Sequence, residues 1–136
     1  MVSQTAKYTL HILGYLVTRR EHLVRGSEIA EATGIPANYL SKILSQLRKG
    51  GVVEAQKGWG GGFRLRDGAI DRPVREVLEI IDGADRVERV DCVFGLPRCD
   101  AERPCPLHDQ WQTVRTLFNR MLADTRLCDL GLDRGG

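Results

Sequence analysis

The chain has no apolar run approaching the ~20 residues that a membrane-crossing helix needs. No apolar stretch follows Met1-Val2-Ser3-Gln4, so no secretory signal is expected and the expected compartment is cytoplasmic, without a membrane partner. Aromatic residues are scarce at 6% and charge is nearly balanced at +2. The 136 residues include four cysteines, which in a cytosolic, reducing compartment are better suited to metal ligands or reactive thiols than to a disulfide framework. The glycine run at 58–62 has no Gly-Lys-Ser/Thr ending and leads into a strand, which excludes a nucleotide-binding loop. No nucleophile–base–orienter set and no paired carboxylates stand out, so an enzyme is not expected. His11 and His22 are lone histidines, read as a helix-surface and a loop residue.

What is present divides the chain in two. Residues 1–67 hold ten Lys/Arg against five Asp/Glu, a formal charge of +5 that leaves −3 for the remainder. A basic half joined to an acidic half suits one part to a polyanion and the other to a different task.

From Thr5 to Arg19, Ala6, Leu10, Leu13 and Val17 recur at spacings of three and four, the stripe of an amphipathic helix, closed by Arg19-Arg20 at its negative pole. Ser27 reads as the N-cap of a short second helix that Gly34 stops. A third follows from Pro36 or Ala37 to Lys49, with Leu40, Ile43, Leu44 and Leu47 inward. Two short helices across a glycine turn form a helix-turn-helix pattern. The third helix has an outer face of Asn38, Tyr39, Ser41, Lys42, Ser45 and Gln46. It lacks the Glu/Lys pairs of a merely solvated helix, and its hydrogen-bonding groups suit base edges in a major groove.

Residues 52–57 and 63–66 alternate as two strands around Gly58-Trp59-Gly60-Gly61-Gly62, with Phe63 and Leu65 on one face and Arg64 and Arg66 on the other. A hairpin directly after a recognition helix is a wing. Lys57, Arg64 and the glycine-rich tip are placed for phosphates, and Trp59 either folds back onto the body or meets DNA. A fourth helix is expected with Asp71 as its cap, Pro73 in its first turn, and Val74, Val77, Leu78 and Ile81 on the core side.

The last long helix is expected from Pro106 or Leu107 to about Leu127. Leu107, Trp111, Val114, Phe118 and Met121 alternate four and three along it, a heptad-like seam that a second copy would bury. Twofold symmetry would then match double-stranded DNA with a palindromic operator. Cys92, Cys99, Cys105 and His108 precede it as Cys-x6-Cys-x5-Cys-x2-His, a four-ligand set within seventeen residues. Spacing leaves an Fe–S cluster, zinc and a thiol–disulfide switch open, and the missing Cys-x2-4-Cys knuckle lowers zinc. Cys128 reads as a small core residue on the apolar side of that helix.

The expected fold is therefore mostly α with a small β-hairpin: a winged helix-turn-helix at 1–83, a cysteine loop at 84–108, a dimerisation helix at 106–127 and a tail at 128–136. That order resembles the Rrf2 family of bacterial winged-helix regulators, with its IscR-like and NsrR-like branches. The resemblance is carried by Tyr8–Leu13, Ile35–Leu44, Leu47–Val53, the wing Lys57–Leu65 and the cysteine triad. It implies a homodimer that binds operator DNA and senses iron, redox state, oxygen or nitric oxide through an Fe–S cluster; Ser27, at the start of the helix-turn-helix, is counted among the expected DNA contacts. In the IscR-like branch a histidine shortly after the third cysteine completes [2Fe–2S] ligation, and His108 matches it. In the NsrR-like branch an acidic residue of the partner's first helix is the fourth ligand, where this chain has Lys7, so [2Fe–2S] is favoured over [4Fe–4S]. The first cysteine gap is six residues here against the family's common five.

Overall fold

The computed structural model describes residues 2–83 and 102–131. Three helices, α1 (Gln4–Val17), α2 (Gly26–Thr33) and α3 (Ala37–Lys49), lead into an antiparallel hairpin, β1 (Val53–Gln56) and β2 (Gly62–Leu65). A short 3-10 turn (Ala69–Asp71), α4 (Val74–Asp82), α5 (His108–Asp124) and a second 3-10 turn (Leu127–Leu130) complete it.

Helix α1 starts at Ser3, whose hydroxyl oxygen accepts from the Ala6 amide at 3.0 Å. The same hydroxyl donates to the Asp82 carboxylate at 2.8 Å, which ties the start of α1 to the end of α4. Its 3.6-residue period buries Ala6, Ile12, Leu13, Leu16 and Val17. Thr9 is fully buried among them, and its hydroxyl donates to the Thr5 carbonyl at 2.8 Å. Ile29, Leu40, Leu44, Leu47, Val52, Val77 and Leu127 close the core around α1. Gly34 adopts φ 73° and returns its amide to the Ala30 carbonyl at 2.8 Å, the stop expected between α2 and α3.

Several expected boundaries move, and long-range backbone pairing explains them. Val24 and Phe63 exchange hydrogen bonds at 2.8 and 2.7 Å, so a third strand-like segment flanks β2. That pairing holds Arg25 extended, and α2 begins immediately after it, at Gly26. Ser27 is consequently an exposed residue of the first turn and not the cap; no side chain caps this helix.

Helix α4 likewise starts at Val74 and not beside Asp71, which ends the 3-10 turn. Arg72 and Pro73 are extended because Val74 donates to the Thr125 carbonyl at 2.8 Å and Leu127 donates to the Arg72 carbonyl at 3.1 Å. Pro73 therefore stands at the cap position, one residue outside the helix. The same pairing ends α5 at Asp124, short of Leu127, and the following turn lays Leu127 into the core. Cys128 is exposed in that turn and is not the core residue expected from its place in the pattern.

A polar strap joins α1 to α2. The Tyr15 hydroxyl donates to a Glu28 carboxylate oxygen at 2.5 Å, and the Arg19 guanidinium lies 3.7 Å over the Tyr15 ring. The Glu28 bond, aided by partial desolvation, pushes the Tyr15 phenol above its ordinary value of 10.0, against the lowering influence of Arg19. A raised value means that the strap stabilises the fold fully below the ordinary phenol pKa and is lost as pH rises through the elevated one. Tyr15→Phe should therefore cost no more than about 1 kcal/mol at neutral pH, given its exposure. That difference should vanish at strongly alkaline pH in paired urea titrations; a difference that grows with pH would contradict the assignment.

Candidate nucleic-acid interface and cysteine site

Asn38, Tyr39, Ser41 and Lys42 are all exposed on the first two turns of α3. The inward face of the same helix (Leu40, Ile43, Leu44, Leu47) fixes which side is presented. Tyr39 is 50% exposed, and its ring leans on Tyr8 of α1 at a centroid distance of 6.0 Å, which positions the phenol at the rim of the helix. Ser45 and Gln46 are half-buried, so Gln46 stands back from the face on which the sequence placed it.

Beside α3, a groove of about 710 Å³ opens between α2, α3 and the hairpin. Ser27, Ser41 and Ser45 supply its hydroxyls, Arg48 and Lys57 its cations, and Phe63 part of its apolar floor. Arg48 was not singled out by sequence pattern. Its place in the last turn of α3 suggests only a complement to the helix dipole, and the groove becomes visible once the hairpin is folded back beside that turn. Lys57 is exposed at the end of the first strand and Trp59 stands wholly in solvent at the tip. Arg64 behaves differently: Glu54 faces it across the hairpin, and the two form an ion pair. Its charge is thus partly spoken for, which sets it apart from Lys57 and Arg48.

The expected seam of the last helix separates into two faces. Trp111 is 9% exposed and Phe118 packs against the core, so both turn toward the chain's own body. Leu107, Val114 and Met121 are exposed at 40%, 45% and 52%, and Leu117, at 57%, joins them. Val114, Leu117 and Met121 lie three and four residues apart, so they form one continuous outward apolar stripe.

Cys105 and His108 sit at the entrance to α5, both half-buried. The His108 amide donates to the Cys105 carbonyl at 3.0 Å, which closes a turn and sets thiol and imidazole three residues apart on it. Cys92 and Cys99 lie outside the described residues, and among the described residues no three His, Cys, Asp or Glu side chains converge as a metal site. The two described donors nevertheless fit an iron–sulfur centre in kind: a thiol and an imidazole that a single turn holds, shielded in part from solvent.

Comparison with known proteins bears on the whole arrangement. Residues 2–132 match the Rrf2 family, described as iron-dependent transcriptional regulators. An HTH-type transcriptional regulator of Aquifex aeolicus is 32% identical over 130 residues, covering 94% of this chain and 89% of that one. The HTH-type transcriptional regulator IscR of Vibrio atlanticus is 33% identical over 107 residues, covering 79% of this chain and 60% of that longer protein. Among solved structures, IscR of T. potens superimposes with a TM-score of 0.70 at 23% identity, covering 96% of this chain and 85% of the other. CymR, the global cysteine regulator of B. subtilis, gives 0.76 at 21% identity, over 96% and 95%. These two share the fold, mostly helical with a two-stranded hairpin. Family and relatives are regulators and not enzymes, and among the described residues no helix is long and apolar enough to cross a membrane. With its helix-turn-helix, wing and exposed α3 face on one side of the body, the chain belongs to the Rrf2 family of transcriptional regulators.

Proposed function

We propose that the protein is a cytoplasmic homodimer that grips a palindromic operator and whose grip responds to an iron–sulfur cluster. Residues 1–83 read the DNA, 84–108 hold the cluster and 106–127 pair the two chains. The groove between α3 and the hairpin carries the DNA reading. With α3 in a major groove and the wing in the neighbouring minor groove, the sugar–phosphate strand that separates them must pass over this groove. Ser27, Ser41, Arg48 and Lys57 then meet phosphates, while Asn38, Tyr39 and Lys42 face base edges and Gln46 acts from behind them. Arg64 contributes after exchanging Glu54 for a phosphate, or holds the hairpin square through that pair.

Cys105 and His108, with Cys92 and Cys99, would hold the cluster; a [2Fe–2S] form suits three thiolates and one imidazole. When bound, it would supply a centre sensitive to iron supply and oxidants. The chain's own contribution is mechanical. Cys105 and His108 open α5, so engaging them fixes the start of the helix whose outer stripe pairs the protomers. The separation of the two α3 helices follows from that pairing. A coupling of ~1–3 kcal/mol between the sites changes DNA affinity about 5- to 150-fold.

Anaerobically purified protein should contain iron and sulfide in equal proportion and lose both in Cys105→Ala, with its helical circular dichroism retained. The parent and the variant should then differ in affinity for a duplex selected from a randomised pool. A colourless protein that binds the duplex equally well with and without chelation would replace this reading with cluster-independent DNA binding.

A further inference from the structure

The tip of the hairpin presents an indole that has no cover among the described residues. Trp59 is 101% exposed, more open than in an extended peptide, while the other tryptophan is buried. An apolar side chain of this size normally covers something. The backbone beneath it is closed. The Gly61 amide donates to the Gly58 carbonyl at 3.0 Å, and Gly60 at φ 70° supplies the positive angle that the third position of a type II turn requires. A Cβ on Gly61 would stand 2.2 Å from the Gln56 carbonyl oxygen, so the turn folds flat against the strand behind it. The glycines therefore make a thin, tightly closed tip with one side chain projecting from it.

We infer that Trp59 is a wedge: it enters the minor groove and inserts its indole edge partly between two base pairs, kinking the duplex. The inference rests on the DNA-reading role proposed above and adds the mode of contact. The minor groove is only ~6 Å wide, and a tip with glycine on both sides of the indole offers no other side chain to obstruct entry. Lys57 precedes the turn and is exposed, so a cation stands beside the indole where a phosphate strand borders the groove. Apolar wedges unstack flexible steps with least cost, which commits the wedge to a pyrimidine–purine step such as TA, one at each end of a palindromic site. A protein partner for Trp59 is the competing occupant.

The test compares the full-length parent, Trp59→Ala and Trp59→Phe on a duplex recovered by the parent from a randomised pool. The difference between parent and Trp59→Phe emission isolates Trp59, and duplex binding should quench it and shield it severalfold from acrylamide. Trp59→Ala should weaken binding about tenfold per half-site and reduce the bend seen by circular-permutation electrophoresis, with its melting temperature unchanged. Trp59→Phe should recover most of the affinity. Firm duplex binding with Trp59 still open to acrylamide and the bend unchanged in Trp59→Ala would overturn the wedge and leave DNA reading intact, the result a protein partner would give. A parent that recovers no duplex at any salt concentration would overturn DNA reading and the wedge with it.

Discussion

If the proposed homodimer forms through α5, Leu117→Glu should convert it to monomers and lower its affinity for a palindromic duplex by at least about a hundredfold. The outer stripe of α5 (Val114, Leu117, Met121, with Leu107 at the start) has no cover within the described chain, and Leu117 is its most exposed member. Fully burying a leucine is worth about 1.5–3 kcal/mol, and Leu117 has 57% of its surface left to cover, so with twofold symmetry counting the loss twice removal alone withdraws roughly 2–3 kcal/mol from association. The incoming carboxylates add to this, since each must be desolvated near its symmetry mate. Separated protomers hold one half-site each, and the advantage of tethering the second recognition helix beside its own half-site disappears. The substitution lies on the solvent side of the single chain, so secondary structure and the core should be unaffected. Sedimentation velocity and mobility-shift titration read the two consequences. Leu117→Glu that still sediments as a dimer would place the pairing surface elsewhere on the molecule.

That stripe also shows how far periodicity reads. A three–four alternation located the helix and its wide apolar face, yet it could not say which apolar residues the chain's own core would claim. Phe118 packs on the core where α5 contacts α4, a contact between segments far apart in sequence, and Trp111 is buried one helical face away from the outer stripe. The inward face of α3 was legible for the opposite reason: Leu40, Ile43, Leu44 and Leu47 are all the leucine and isoleucine of one short helix, and they share one face, which leaves Asn38, Tyr39, Ser41 and Lys42 exposed. Boundaries were misread wherever backbone pairs with distant backbone. Ser27 and Asp71 are good local caps, but Val24 bonds to Phe63 and Pro73 pairs with Arg126, and both pairings hold the chain extended up to the first helical residue. Cys128 fell to the same cause, since the helix that would have buried it ends at Asp124. Arg48 joined the candidate interface only through its nearness to the hairpin, a relation without a local pattern.

The Val24 pairing has a consequence large enough to measure. Gly62→Ala should destabilise the protein by about 3 kcal/mol and weaken DNA binding beyond what that loss explains. A Cβ at position 62 would stand 2.5 Å from the Val24 carbonyl oxygen and 2.7 Å from its carbon, both backbone atoms that cannot turn aside. The residue also sits at φ 152°, where an L side chain is strained. Relief requires β2 to move off Val24, at the expense of the Val24–Phe63 hydrogen bonds at 2.8 and 2.7 Å. Two such bonds contribute about 0.5–1.5 kcal/mol each, and the backbone strain adds about 1 kcal/mol. Because Phe63 floors the groove and β2 carries the tip, the displaced hairpin no longer faces α3 correctly. Gly58→Ala is the matched control: its φ is 91°, but nothing lies within 4 Å of the added methyl. It should cost only about 1 kcal/mol, with the hairpin still anchored. Urea titration and duplex binding of the two variants therefore separate backbone strain, common to both, from the lost anchor, present in one. Equal losses in Gly58→Ala and Gly62→Ala would show that the wing is held by its own turn and not by the segment before α2.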